Sequence, residues 1–149
     1  ITRQAAFLFE NFPAFAGGSI VTSGSHMYTL DTNVVLYYLG GDQYVREIVD
    51  RALEQPLPLY VSAITVAELL RFPKLTIEEE TNIKTFLSVC SIINVDAIVS
   101  GRSAAIGRAY GLKLADSMIA ATALFTGSVL LTRNIRDFRR VSELVVQRV

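Results

Sequence analysis

Residues 28–39 read Tyr-Thr-Leu-Asp-Thr-Asn-Val-Val-Leu-Tyr-Tyr-Leu, and this stretch decides how the chain folds. Its first three residues are typical of a short buried strand. Asp31, Thr32 and Asn33 then supply side chains that cap helices, and the apolar run at residues 34–39 continues as a helix. The stretch therefore predicts a strand that passes directly into a helix, with an acid at the junction.

The rest of the chain repeats this alternation of strand and helix. Short apolar runs predict further strands at residues 59–61, 91–95, 129–131 and 144–149. Helical spacing, capping residues and terminating glycine or proline predict helices at residues 44–54, 62–72, from 76 onward, 97–110 and 115–125, and a short turn or helix at 134–140. Strands that alternate with helices favour an α/β fold, with a central parallel β-sheet of four to five strands flanked by helices on both faces.

Length and composition restrict the class of protein. The 149 residues, 51% of them hydrophobic and 19% charged, suit one domain with a real core. Fourteen basic and fourteen acidic residues leave no net charge, which excludes a histone-like mode of nucleic-acid binding. One cysteine excludes an internal disulfide and a cysteine-based zinc site, and favours a reducing, cytoplasmic setting. No apolar run is long enough to span a bilayer, so no membrane association is expected.

Residues 1–27 look foreign to this domain. Residues 24–27 read Gly-Ser-His-Met, the remnant that removal of an affinity tag leaves, so the native start is expected at Met27 and the domain at residues 28–149. The sole histidine then belongs to the remnant. Residues 1–23 hold half of the phenylalanines of the chain. Two readings stay open for them, a vector-derived tag and a peptide taken from a partner.

Acidic residues follow the predicted strands at the places where an open parallel sheet forms its functional crevice. Asp31 follows the first strand, Glu68 lies in the helix after the second, and Asp116 opens a later helix. Asn134 and Asp137 follow the fourth strand. Glu68 and Asp116 stand inside long apolar stretches, where an unpaired buried carboxylate costs several kcal/mol.

Each acid also has an ordinary structural explanation. Asp31 and Asp116 suit helix caps, and Glu68 suits a solvated helix position. Asp137 suits a surface ion pair with Arg133 or Arg140. The coincidence of all the acids favours a shared site, in which their repulsion requires a counter-charge.

A hard divalent cation such as Mg²⁺ is the usual counter-charge for such a group of oxygen ligands. One or two such ions activate water and neutralise phosphate, which suits hydrolysis of a phosphodiester without a side-chain nucleophile. Basic residues near the acids are candidates for RNA-phosphate contacts, namely Arg71, Lys74, Lys113, Arg133 and Arg136.

Four segments together resemble the motifs of a PIN domain. They are residues 28–39, 61–70 (Val-Ser-Ala-Ile-Thr-Val-Ala-Glu-Leu-Leu), 111–123 (Gly-Leu-Lys-Leu-Ala-Asp-Ser-Met-Ile-Ala-Ala-Thr-Ala) and 131–138 (Leu-Thr-Arg-Asn-Ile-Arg-Asp-Phe). The compact size and the third motif are most similar to VapC-type toxins of toxin–antitoxin pairs. The resemblance implies a Mg²⁺- or Mn²⁺-dependent endoribonuclease that forms a homodimer and is blocked by the C-terminal peptide of an antitoxin.

The resemblance also assigns roles to individual residues. It implies that Asp31, Glu68 and Asp116 bind the metal and that Thr32 and Thr132 are supporting hydroxyls. The fourth acid of the family falls in the last motif, where this chain has Asn134 and, three residues on, Asp137. Both are included in the predicted catalytic set.

The same resemblance bears on residues 1–23. Antitoxin tails are often rich in aromatic residues and carry an arginine that reaches the acidic pocket. The N-terminal stretch is therefore predicted to be an inhibitory, antitoxin-like peptide with contacts from Arg3, Phe7, Phe9, Phe12 and Phe15.

Other functions stay open. The chain suits a PIN nuclease of RNA processing, or a PIN-like module that binds RNA or a partner without catalysis. A phosphoacceptor signalling domain is disfavoured, because such domains carry a lysine after a late strand, where this chain has Arg133.

Overall fold

A five-stranded, wholly parallel sheet forms the centre of the molecule in the computed structural model, which describes residues 26–149. The strands are β1 (Tyr28–Leu30), β2 (Leu59–Ser62), β3 (Ser91–Ile93), β4 (Val129–Thr132) and β5 (Val146–Arg148). Their order across the sheet is β3-β2-β1-β4-β5. The first strand is therefore central, with β2 and β4 on either side of it.

Helices connect the strands and cover both faces of the sheet. Those of the described residues are α1 (Thr32–Leu39), α2 (Gln43–Leu53), α3 (Ala63–Leu70), α4 (Ile77–Ser88), α5 (Ala97–Tyr110), α6 (Leu114–Thr126) and α7 (Ile135–Phe138). Adjacent strand residues point to opposite faces. Leu131 accordingly belongs to a buried cluster with residues of α1 to α4, and Leu130 to a second cluster with residues of α5 to α7. The predicted fold is confirmed.

Local capping explains where several helices begin and end. Thr76 and Glu79 form a reciprocal capping box at the start of α4, which satisfies backbone N–H groups that have no partner within the helix. Asp96 accepts hydrogen bonds from two backbone N–H groups at the start of α5. Gly111 ends α5 in the left-handed conformation, with φ of 66°, which glycine adopts without a steric cost. These helices therefore begin and end where the capping residues of the sequence predict.

Three predicted boundaries extend beyond the observed elements. Helix α3 ends at Leu70 rather than at residue 72, because Pro73 has no N–H to donate within a helix. Strand β3 ends at Ile93, two residues earlier than predicted, and the chain then turns into the cap of α5. Strand β5 starts at Val146, because the backbone of Leu144 is bonded to the carbonyl of Val141 in a turn.

The predicted tag or antitoxin-like peptide at residues 1–23, with Arg3, Phe7, Phe9, Phe12 and Phe15, lies outside the described residues, as does the start of the predicted remnant at 24–27. Met27 is described, and its carbonyl accepts a 2.9 Å hydrogen bond from the backbone of Val129. Within residues 26–149, no helix is both long and apolar enough to cross a membrane.

Candidate active site

Asp31 lies at the centre of the carboxyl edge of the sheet. The register places Leu30 beside Val61 of β2 and Leu131 of β4, so Asp31 emerges between the ends of three strands. Its backbone N–H donates to the carbonyl of Leu131 at 3.0 Å, and the residue is only 4% exposed. The acid predicted at this junction is therefore buried at the crossing point of the fold.

Three donors surround the Asp31 carboxylate. The Thr132 hydroxyl donates to Oδ2 at 2.6 Å, and the Asn33 amide donates to the same oxygen at 2.9 Å. The backbone N–H of Thr32 donates to Oδ1 at 2.7 Å. Hydrogen bonds that a carboxylate accepts favour its ionised form, whereas burial favours its protonated form. Asp31 is thus both a helix cap and the buried member of the acidic group.

Burial raises the pKa of Asp31 from its ordinary value of 3.8 to about 7. The hydrogen bonds from Thr132 and Thr32 lower this pKa, while the negative charges of Asp116 and Glu68 raise it. The desolvation effect is the largest of these influences. Asp116 and Glu68 therefore act on Asp31 electrostatically.

Glu68 is held by the residue that follows Asp31. The Thr32 hydroxyl donates a hydrogen bond to the Glu68 carboxylate, and its oxygen lies 3.1 Å from the hydroxyl oxygen of Thr65. Thr65 is buried and lies on α3, one turn before Glu68. Thr32 therefore joins the start of α1 to the face of α3 that carries Glu68.

Asp116 lies in the first turn of α6 and is half-buried. Burial raises its pKa, the charges of Glu68 and Asp137 raise it further, and the ammonium group of Lys113 opposes them. Lys113 is the N-cap residue of α6, but its side chain makes no capping hydrogen bond. Asp116 therefore connects the acids of α3 and α7 electrostatically.

Asn134 and Asp137 are partners of each other. The Asn134 side-chain amide donates to the Asp137 carboxylate at 3.0 Å, and its backbone N–H donates to the Thr132 hydroxyl at 2.9 Å. Thr132 in turn donates to Asp31. A continuous set of hydrogen bonds thus runs from Asp137 to Asp31 through two polar residues at the end of β4.

The chemistry of this group fits a hard divalent cation. Carboxylate oxygens are the ligands that Mg²⁺ and Mn²⁺ prefer, and a cation relieves the repulsion that raises the pKa values of Asp31 and Asp116. Among residues 26–149, however, no three His, Cys, Asp or Glu side chains have converged far enough to hold an ion. Asp31, Glu68 and Asp137 each accept a hydrogen bond from a neighbouring side chain instead. Ion binding therefore requires these carboxylates to turn toward one another.

Known proteins are similar to this chain in both sequence and fold. The family model described as the PIN domain matches residues 28–144. This chain belongs to the PIN-domain family. The PIN domain is 33% identical over 131 residues to Ribonuclease VapC2 of Haemophilus influenzae, a match that covers 78% of this chain and 93% of that protein. The predicted resemblance to VapC-type proteins is therefore confirmed.

Solved structures give the same result. The PIN domain matches a chain of a toxin-antitoxin complex from Klebsiella pneumoniae with 30% identity and a TM-score of 0.68, covering 79% of this chain and 95% of that one. It also matches a chain of VapBC2 from Rickettsia felis, bound to a promoter DNA fragment, with 21% identity and a TM-score of 0.73, covering 83% and 98% of the two chains. The second likeness shows a common fold.

The basic residues around the acids of the PIN domain divide into two groups. Arg71, Lys74, Lys113 and Arg136 are exposed, and none of them forms an ion pair within the described part of the chain. Arg133 differs, because its guanidinium forms an ion pair with Asp42 and lies 3.6 Å over the centre of the Tyr37 ring. In the described part of the chain, Asp137 forms no ion pair with Arg133 or Arg140, contrary to its surface explanation.

Several residues that support the site of the PIN domain are absent from the sequence prediction. The sequence predicts Asn33 only as a helix cap, yet its amide contacts the Asp31 carboxylate. It indicates no site role for Asp42, Tyr37 or Thr65. The contact of Asn33 could be predicted locally, since Asn33 lies two residues after Asp31. The ion pair between Asp42 and Arg133, by contrast, joins residues 91 positions apart in sequence. No local pattern indicates such a contact.

Proposed function

We propose that this PIN domain is a divalent-metal-dependent endoribonuclease that hydrolyses RNA phosphodiester bonds, as the toxin of a type II toxin–antitoxin pair. The observation that carries the proposal is the group of acids at the carboxyl edge of the sheet, where the charges of Asp116 and Glu68 add to burial in raising the pKa of Asp31, and the charge of Glu68 adds to burial in raising that of Asp116. The relationship to proteins named ribonuclease VapC supports RNA as the substrate.

Each residue of the site has a proposed role in binding the metal or in orienting a metal ligand. Asp31, Glu68 and Asp116 would hold Mg²⁺ or Mn²⁺, with Asn134 and Asp137 beside them. When bound, such an ion supplies an activated water and neutralises the charge of the scissile phosphate. Thr32 orients the Glu68 carboxylate and Thr132 orients that of Asp31 through the hydrogen bonds described above. Supporting contacts of this kind set the direction in which a ligand oxygen points.

The exposed basic residues suit binding of the RNA backbone. Arg71 is the C-cap residue of α3, close in sequence to Glu68, and Lys113 immediately precedes the helix of Asp116. Arg136 lies on α7 beside Asp137. Cations placed around an acidic centre bind the phosphates on either side of the scissile bond, which compensates for the repulsion between the acids and RNA.

The relatives also support a proposal about the partners of this chain. Structures of related chains are toxin–antitoxin complexes, which supports an antitoxin as the partner of this chain. We extend this to an antitoxin peptide that reaches the acidic group, to a homodimer of the toxin, and to action in the cytoplasm.

Cleavage of RNA tests the function directly. The protein from Met27 onward is incubated with total RNA in Mg²⁺ or Mn²⁺, beside an EDTA control, an Asp116→Asn variant and an Asp50→Asn variant. Asp50 is a matched control, because it is an exposed acid whose side chain, among residues 26–149, accepts a hydrogen bond from Tyr38 alone. We expect cleavage by the parent and by Asp50→Asn, and its loss with EDTA and with Asp116→Asn.

Cleavage that persists both in EDTA and in Asp116→Asn contradicts the metal-dependent mechanism. Calorimetric titration with Mn²⁺ separates the two ways in which the parent can be inactive. Mn²⁺ binding without cleavage indicates a narrow RNA specificity, whereas neither binding nor cleavage indicates a non-catalytic PIN-like module.

A further inference from the structure

Arg133 lies beside the acidic group, but its own positive charge is already neutralised by a carboxylate of the protein. Its guanidinium forms an ion pair with Asp42 and stacks on the Tyr37 ring at 3.6 Å. The side chains of Arg133 and Asp42 are 20% and 27% exposed, respectively. A guanidinium that is paired, stacked and mostly covered is poorly placed to bind an RNA phosphate.

The two side chains that hold the Arg133 guanidinium belong to α1 and to the start of α2. Tyr37 is on α1, the helix that begins at Thr32. Asp42 is the N-cap of α2, where Oδ1 accepts a 3.1 Å hydrogen bond from the backbone of Val45 and Oδ2 accepts from Arg133. Arg133 thus joins the segment after β4 to α1 and to the start of α2.

This segment supplies three consecutive contacts to the acidic group. Thr132 donates to Asp31 at 2.6 Å, and Asn134 donates to Asp137 at 3.0 Å. Between them, the backbone N–H of Arg133 lies 3.5 Å from the side-chain oxygen of Asn33. That contact orients the Asn33 amide so that its NH₂ group faces Asp31.

Arginine suits this position for a chemical reason. A planar guanidinium can stack on an aromatic ring while its edge donates to a carboxylate, which a lysine ammonium cannot do. The buried Nε of Arg133 has no hydrogen-bond partner within residues 26–149. The interactions of this side chain with described residues are therefore the Tyr37 stack and the Asp42 ion pair.

We propose that Arg133 is a positioning residue of the proposed nuclease: Asp42 and Tyr37 hold its guanidinium, and this anchors the segment that directs Thr132 and Asn134 toward the acids. The inference rests on the proposed function for its catalytic consequence. It replaces the RNA-phosphate contact that the sequence predicts for this residue.

Neutralising Asp42 distinguishes the two roles. If Arg133 bound phosphate, Asp42→Asn would release it and lower the KM for RNA. If Arg133 is a positioning residue, Asp42→Asn and Arg133→Met should each lower kcat and Mn²⁺ affinity by about tenfold, with KM for RNA changed less than about twofold. The double variant should lose little more than either single variant, because both substitutions break one interaction. Asn caps helices well, so Asp42→Asn is expected to fold.

A readout that does not depend on function completes the test. The backbone N–H of Asn134 donates to Thr132, so its hydrogen-exchange rate reports whether the segment is anchored. We expect an increase of about tenfold in both single variants of the full chain and none in Arg139→Met, the control at an exposed arginine of the same region.

Two results would overturn the positioning role. One is an Asp42→Asn protein with a lower KM for RNA, together with an Arg133→Met protein that loses RNA affinity but binds Mn²⁺ normally. The other is unchanged exchange of the Asn134 amide in both variants. Failure of the proposed function is a separate result, because it consists of a parent protein that cleaves no RNA in any metal, while the exchange measurement still reports on the segment.

Discussion

The hydroxyl of Thr132 donates a 2.6 Å hydrogen bond to the carboxylate of Asp31, although 101 positions of sequence separate the two residues. Both are buried at the carboxyl edge of the sheet, where β1 and β4 are neighbours. The same hydroxyl oxygen accepts from the backbone N–H of Asn134. One side chain therefore connects the central acid to the segment that carries Asn134.

Replacing Thr132 should show how much this hydrogen bond contributes to stability and to metal binding. Thr132→Val keeps the shape but removes the hydroxyl, so Asp31 loses a donor and the Asn134 N–H loses its acceptor. We expect a loss of about 1–3 kcal/mol in the free energy of unfolding and weaker Mn²⁺ binding. Urea unfolding and calorimetry measure the two effects. Thr132→Ser retains the hydroxyl and should stay close to the parent in both; equal losses in the two variants would mean that packing, not the hydrogen bond, matters.

The metal-free protein should become less stable as pH rises from about 4 to about 7. Folding raises the pKa of Asp31 to about 7, so the folded state binds a proton that the unfolded state has released. The stabilisation from this proton is complete below the ordinary pKa of 3.8 and is lost as pH passes through about 7. Its upper bound is on the order of 4 kcal/mol. The free energy of unfolding in EDTA at several pH values measures the change.

Asp31→Asn serves as the reference for this pH effect. It should flatten much of the decline, while Asp50→Asn should preserve it. A parent protein whose stability rises steadily between pH 4 and 7 in EDTA contradicts the expectation. Mg²⁺ should raise the melting temperature more at pH 7.5 than at pH 5, because protons and the ion compete for the same carboxylates.

Two glycines of α5 should respond differently to alanine. Nothing lies within 4 Å of a Cβ at Gly101, so Gly101→Ala should raise the free energy of unfolding by about 0.5–1 kcal/mol through the higher helix propensity of alanine. A Cβ at Gly107 would lie 3.2 Å from the Ser117 hydroxyl oxygen. That hydroxyl is itself held by a 2.9 Å hydrogen bond to the carbonyl of Lys113.

Gly107→Ala should therefore gain nothing and lower stability by about 1 kcal/mol, because the added methyl group pushes α5 away from α6. Urea unfolding of both variants decides this. Equal stabilisation by the two alanines would show that Ser117, which adjoins Asp116, yields without cost.

Removing residues 1–26, which include the predicted inhibitory peptide at residues 1–23, tests that prediction. If that stretch covers the acidic group, the protein from Met27 onward should cleave RNA faster than the full chain, and a synthetic peptide of residues 1–23 should inhibit it. An Arg3→Ala peptide should inhibit less, since Arg3 is the residue predicted to reach the acids. Equal rates for the full and shortened chains, with no effect of the peptide, favour the vector-derived tag.

Much of the site was predictable because its acids occur in local patterns. Asp31 follows an apolar strand, Glu68 interrupts an apolar helix, and Asp116 opens one. The order of strands and helices then brings these positions to the same edge of a parallel sheet. The boundaries of α3, β3 and β5 were less predictable, because apolar residues beyond an element pack in the core without continuing its hydrogen bonds.

The α/β order could be predicted from the sequence, since it depends on periodicity and spacing within a few turns of chain. The PIN family could be predicted from the resemblance of four short motifs. Which basic side chains form ion pairs among residues 26–149 depends instead on tertiary packing. Arg133 and Arg136 look alike in sequence, yet the packing of α1 and α2 brings Tyr37 and Asp42 to Arg133 and leaves Arg136 exposed. The partner of a charged side chain depends on what distant segments place beside it, and no local pattern encodes that.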